Sequence, residues 1–372
     1  MTLAQADAIL ALNPGSLSTK LAVYVEGEPV VAENLDHTGE SWSATHKTVA
    51  QLPFRALAVR EFLARHGFSV SDLTCIAARG GLIRPVRSGV YPINRDMILD
   101  SRAEVGGRHA SNLGPLIAWE LSGEGRIPAF IVNPVSVDEF VADARVSGHQ
   151  GIPRKSLLHA LNMKAAARKA SSDLGYPLSE LYLIIAHLGS GVSISPCHEG
   201  YLRDVNNSNE EGPFTVERTG TLPSMLLWDL HRMSCDMSSV KMRLFTKSGM
   251  YGYLGTKDAK RVQERARFEP KAARVYEAMA YQIAKEIGAM ASVFSKRPDA
   301  VVVTGALARS EMLVNLVRER TSFIAPHLVY PGEDEMEALW AGVCRVLRKE
   351  ESSRVYPEGE VIGLGGLVPV VP

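Results

Sequence analysis

The sequence predicts an α/β protein built as two similar halves. Apolar, strand-like runs alternate with segments of helical periodicity. Two glycine-turn hairpins recur at nearly the same spacing, and a chain of 372 residues has room for about two domains.

The first hairpin rises through the apolar residues 8–12 and turns through NPGSLSTK at 13–20. It returns through 21–25 to a second turn at Glu26-Gly27. The plan recurs where LIIAHLGSG at 183–191 leads into VSIS at 192–195 and a turn at Glu199-Gly200. Gly15 to Gly27 spans 12 positions and Gly189 to Gly200 spans 11. Each hairpin is followed by a strand ending in glycine, CIAARGG at 75–81 and AVVVTG at 300–305. Helical periodicity predicts helices over 156–171, 272–294 and 310–320. The Pro/Gly-rich segment 147–153 marks a boundary between a first domain, 1–150, and a second, 151–350. The sparsely charged Pro/Gly/Val tail is expected to be extended, with 351–372 docked on the first domain.

Composition narrows the partners. Lys plus Arg and Asp plus Glu each number 41, so no charge excess points to nucleic acid. No run of about 20 apolar residues predicts a membrane span, and residues 8–12 are too short for a signal peptide. The four scattered cysteines fit a reducing cytoplasm better than a disulfide framework or zinc site.

Backbone N–H groups in a Gly/Ser turn form a concave anion seat, because glycine lets the backbone approach an oxyanion closely. Gly15, Ser16, Ser18 and Lys20 in one turn, and Gly189, Ser190 and Gly191 in the other, are candidates to bind phosphate. A single such turn reads more readily as an ordinary tight hairpin; the matched pair favours phosphate. Neither a GxxxxGK[ST] loop nor a GxGxxG opening a helix is present. Arg79 and Arg218 offer guanidinium forks for phosphate or carboxylate, with a surface ion pair as the alternative. His159 reads alone as a structural histidine, and the acidic residues 333–337 as a solvated helix start.

The ordered set NPGSLSTK (13–20), RHASNLG (108–114), RVSGH (145–149), HLGSG (187–191), DVNN (204–207), GPFTVERTGTLP (212–223) and LGTKD (254–258) says more than periodicity does. It resembles the butyrate kinases of the acetate kinase family, over about residues 8–350. The resemblance implies two ribonuclease H-like domains with a nucleotide cleft between them, as in acetate and sugar kinases, actin and heat-shock 70 proteins. It implies a homodimer and the reversible reaction of ATP with a short-chain carboxylate, giving ADP and an acyl phosphate. ATP/ADP and Mg2+ are the implied cofactors.

Carried over by position, Asn13 contacts the transferring phosphoryl group, Arg218 holds substrate oxygens and His159 stabilises the transition state. Arg79 is transferred approximately, three positions from the acetate kinase arginine. His187, Gly189 and Gly191 match the second phosphate loop, and Thr304 and Gly305 the adenosine turn. Glu335, with Asn13, is placed near magnesium. Ala78, His109, Leu158 and Pro213 are expected at the substrate pocket. Ala78 replaces a usual valine and Leu158 an aromatic residue, which opens room for a longer acyl tail. Two positions depart from the family pattern. Asn133 stands in place of an aspartate, which shifts any metal burden toward Glu335 or Asp138. Ala306 stands in place of a glycine, at a cost if positive φ is needed there. These departures support an alternative, a catalytically weakened nucleotide-binding relative with a regulatory role. A sugar kinase would need a general base for a hydroxyl, and no convincing one is present.

Overall fold

The first apolar run forms a strand, Ala8–Pro14 (β1), buried at every residue. In the computed structural model, which describes residues 8–38, 48–233 and 236–358, β1 pairs antiparallel with Ser18–Val25 (β2). That strand pairs antiparallel with Glu28–Asp36 (β3). On its other side β1 runs parallel to Leu73–Arg79 (β4). Val90–Pro92 (β5) closes the edge against Ala129–Val132 (β6), which lies parallel to β4. The order is β3-β2-β1-β4-β6-β5.

The second sheet repeats this plan. Tyr182–Leu188 (β7) pairs antiparallel with Val192–His198 (β8), and β8 with the short Tyr201–Leu202 (β9). On its far side β7 runs parallel to Ala300–Gly305 (β10), and β10 to His327–Pro331 (β11). The order β11-β10-β7-β8-β9 reproduces three antiparallel strands continued by two parallel ones. The duplication read from the hairpins is therefore a duplication of sheets. The central strands are buried along their length, as parallel neighbours covered by helices require.

Among the described residues, 8–138 and 334–358 form one compact unit, and 139–333 the other. The division falls ahead of the Pro/Gly-rich segment 147–153, which lies inside the second unit. The helix Glu335–Leu347, placed by sequence in the second domain, joins the first because it packs on β1, β2, β4 and β6. Trp340 stacks on Tyr24 with ring centroids 5.1 Å apart, and Gly342 presses its backbone against Val132. The tail docks on the same unit. Arg354 donates its N–H to the Val90 carbonyl, and buried Tyr356 hydrogen-bonds Asp100. Residues 359–372, where the extended tail was expected to continue, lie outside the described residues.

The predicted helices are present with shifted ends, at Ala160–Leu174, Pro270–Ala291 and Glu311–Thr321. The first starts later than its periodicity implied, because residues 156–159 run without helical structure into the N-cap, His159. Among the described residues no helix is long and apolar enough to cross a membrane.

A Cβ on Gly342 would lie 2.5 Å from Cγ1 of Val132, whereas one on Gly288 would meet nothing within 4 Å. Both glycines are inside helices, where alanine is intrinsically better by about 1 kcal/mol. Gly342→Ala should nonetheless destabilise by about 1–2 kcal/mol, because overpacking outweighs propensity, and Gly288→Ala should stabilise. Urea unfolding of both variants checks the opposite signs.

Candidate functional site

In the first unit, Asn13 and Lys20 face each other across the β1–β2 pair, so their side chains share one face of the sheet. Both reach Glu335, the first residue of its helix. Asn13 Nδ2 donates to Oε2 at 2.6 Å and Lys20 Nζ to the same oxygen at 3.2 Å. Arg79, at the end of β4, pairs with Oε1. Asp334 and Glu337 are exposed as a solvated helix start would be, but Glu335 is 7% exposed and sits where the helix dipole favours an anion. Between the strands the turn closes with Gly15 N–H donating to the Ser18 carbonyl.

A cavity of about 190 Å³ opens at this turn, lined by residues 13–16, Ser18, Lys20, Arg79, Glu335 and residues 109–111. Nδ1 of His109 accepts from the Ser111 N–H, which leaves the proton of a neutral ring on Nε2. Two cations face one carboxylate in this cavity, an arrangement suited to an anion. Ser111 had not been singled out. Its only signal was its place in HASN, immediately before the helix Leu113–Leu121. Ala78 does not line the cavity. Strand alternation turns it away from Arg79 into the fully buried core of the first sheet.

In the second unit, the turn between β7 and β8 holds Gly189, Ser190 and Gly191, with Gly189 N–H donating to the Gly191 carbonyl. His187, at the end of β7, stacks on His159 with centroids 4.0 Å apart. His159 Nδ1 hydrogen-bonds the Ser193 hydroxyl at 3.0 Å. A Cβ on Gly191 would lie 3.0 Å from Arg218 Nη1, 3.1 Å from Ser208 Oγ and 3.2 Å from His159 Cε1. His159, Arg218 and Ser208 thus converge on this glycine, and a side chain there would crowd all three. Arg218 Nη1 is held by neutral acceptors, Asn209 Oδ1 at 2.8 Å and Ser208 Oγ at 3.1 Å. Burial lowers its pKa, opposed by the neighbouring Glu217, and among the described residues no carboxylate pairs with it. Its positive charge remains available to a ligand.

Thr304 lies beside His187 in the β10–β7 register. Gly305 follows with φ 97°, its absent Cβ only 2.3 Å from the Leu188 carbonyl oxygen. Leu158 and Pro213 are buried in this unit. Of the four substrate-pocket candidates, Ala78 and His109 belong to the first unit, and Leu158 and Pro213 to the second.

The two departures read from sequence are locally accommodated. Ala306 opens a short 3-10 turn outside the left-handed region, so glycine is not required there. Asn133 has φ 40°, a conformation asparagine tolerates better than most residues. Its Oδ1 accepts from Gly89 N–H at 2.8 Å, and its own N–H donates to the Gly89 carbonyl at 2.9 Å. Asn133 is a backbone clasp.

The magnesium role expected of Glu335 and Asn13 does not fit the donors present. Both oxygens of Glu335 already accept from cationic side chains, and the Asn13 amide donates to one of them. Among the described residues no three His, Cys, Asp or Glu side chains gather as a metal site.

Two crystal structures share this architecture. The Porphyromonas gingivalis acetate kinase superposes with a TM-score of 0.76 at 17% identity, over 92% of this chain and 100% of that one. A propionate kinase from Francisella tularensis gives 0.71 at 18%, over 90% and 98%. The fold is the two-domain fold of these kinases. Residues 140–324 match the Acetokinase family. Over 351 residues the chain is 42% identical to a Thermotoga petrophila protein named "Probable butyrate kinase", covering 94% of this chain and 98% of that one. The chain belongs to the acetate kinase family, and it is a phosphotransferase of the carboxylate-kinase type.

The clasp generates a test. Asn133→Ala leaves the buried Gly89 N–H without its acceptor and should cost about 1–3 kcal/mol. Asn133→Asp keeps an acceptor oxygen and should cost less. Thermal unfolding of the two variants ranks them.

Proposed function

We propose that the protein transfers the γ-phosphoryl group of ATP to a short-chain carboxylate, most readily butyrate, giving ADP and butanoyl phosphate, and runs in reverse. The observation that carries this reading is the repeated pairing of a Gly/Ser turn with a cationic side chain held ready for an anion. Arg79 and Lys20 flank the first turn, and Arg218 the second. A carboxylate oxygen attacks the γ-phosphorus while the bond to the β,γ-bridging oxygen breaks and leaves with ADP. The nucleophile is already ionised, so no general base is needed. Phosphoryl transfer then depends on alignment and on donors around the equatorial oxygens.

In this reading Asn13, Lys20, Arg79 and the turn at Gly15, Ser16 and Ser18 receive a phosphoryl group. Arg218, His159 and the loop at His187, Gly189, Ser190 and Gly191 hold the remaining charge, and Thr304 and Gly305 lie toward the nucleoside. Magnesium, if it enters with the nucleotide, needs few protein ligands of its own. Preference for a four-carbon acid is supported by the named Thermotoga relative and by Leu158. Ala78, turned into the core, no longer contributes to it. Against the weakened-relative alternative, Ala306 lies outside the left-handed region and Asn133 holds the Gly89 backbone. The reading includes a homodimer, consistent with the large apolar side chains Met225, Leu226 and Trp228 exposed on the helix Ser224–Arg232.

The direct test is to incubate the protein with ATP, a magnesium salt and acids from acetate to hexanoate, trapping acyl phosphate with hydroxylamine. Product should peak at four or five carbons; comparable turnover on acetate would overturn the butyrate preference. One methylene is worth only about 1–3 kcal/mol, so the neighbouring acids should also react. In the same assay Glu335→Gln should lower kcat/KM by roughly 10²-fold or more, because Lys20 and Arg79 lose the charge that positions them.

A further inference from the structure

Behind the first Gly/Ser turn lies a guanidinium that the proposed reaction does not use. Arg55, on the helix Leu52–Arg65, is 0% exposed. All five of its N–H donors have a neutral partner. Nη1 donates to the Ser18 carbonyl at 2.7 Å and to Thr19 Oγ1 at 3.0 Å. Nη2 donates to the Ser16 carbonyl at 3.0 Å and to Gln51 Oε1 at 2.8 Å. Nε donates to the same Gln51 oxygen at 3.1 Å. The Thr19 hydroxyl, accepting from Arg55, has its single proton to give to Nε2 of His37 at 2.9 Å. Among the described residues no carboxylate pairs with Arg55. Burial pushes its pKa down to about 10, which leaves it charged near neutrality.

A buried cation without a counter-charge is costly, and hydrogen bonds solvate it without neutralising it. Two of its acceptors are carbonyls of the turn that lines the cavity, while Arg55 itself lies outside the lining. Drawing the Ser16 carbonyl toward Arg55 points the N–H of the same trans peptide, that of Leu17, away from it. The guanidinium therefore fixes the orientation of the turn and places uncompensated positive charge behind it.

We infer that Arg55 is a positioning residue and buried counter-charge for the phosphate seat, stabilising an anion on the opposite side of the turn. This rests on the reading that the turn receives phosphoryl groups. Arg55 acts through the backbone and touches no substrate.

The distinguishing variant is Gln51→Glu. It keeps an acceptor for both Nε and Nη2 but adds a carboxylate beside the guanidinium. Calorimetric titration of the full chain with inorganic pyrophosphate at fixed ionic strength reads the seat, and thermal unfolding reads the fold. Gln51→Glu should match or exceed the native thermal midpoint while binding pyrophosphate at least tenfold more weakly. Gln51→Met, which removes two hydrogen bonds but no charge, should stay within about threefold of native affinity. Arg55→Met should lose at least tenfold; if it does not fold, Gln51→Glu decides alone. Native affinity in Gln51→Glu, or no pyrophosphate binding by the native chain, overturns the inference. Absence of acyl phosphate from the native chain with every acid would instead overturn the kinase reading, so the two failures are distinguishable.

Discussion

The carboxylate of Glu335 is buried at the start of a helix and accepts from Asn13, Lys20 and Arg79, which lie 322, 315 and 256 positions away in the chain. Isolated, a buried carboxylate would cost several kcal/mol. Two cations and an amide make it tolerable, and each of those groups is in turn held by it. The arrangement joins the ends of β1, β2 and β4 to one helix terminus. Two cations thus stand beside one carboxylate at the Gly/Ser turn, an arrangement suited to an anion.

The second unit solves a similar problem with different residues. Its loop has a carboxylate of its own, Glu333, whose Oε1 lies 3.4 Å from His187 Nε2, while His159, Ser208 and Arg218 crowd around Gly191. There a Cβ would crowd three side-chain ends at 3.0–3.2 Å, and backbone conformation makes no demand for glycine. Arg218 is held by neutral acceptors, and Arg55 behind the first turn is held in the same manner. In both units, guanidinium groups without a carboxylate partner among the described residues stand at the Gly/Ser turns, where hydrogen bonds to neutral acceptors orient them.

Much of this was legible beforehand. The paired hairpins indicated two similar sheets, because a strand running into a Gly/Ser turn has a period and punctuation of its own. The ordered motifs indicated the family. Ala78 was misjudged because residue size is visible in sequence, while the side of a strand that faces a cavity depends on what packs against each face. Asn133 looked like a lost metal ligand because its backbone conformation and its bond to Gly89 cannot be read from residue type. Arg55 gave no signal, since an arginine within a helix ordinarily reads as solvated.

The sequence by itself determined the α/β class, the duplication and the two Gly/Ser turns, because these depend on residue types close together in the chain. Only the tertiary structure decided that the helix carrying Glu335 belongs with the first sheet, and that one carboxylate gathers three distant partners. It alone decided that Arg55 is buried with no carboxylate partner among the described residues. Those outcomes depend on long-range packing and desolvation, which act between residues hundreds of positions apart and leave no local pattern.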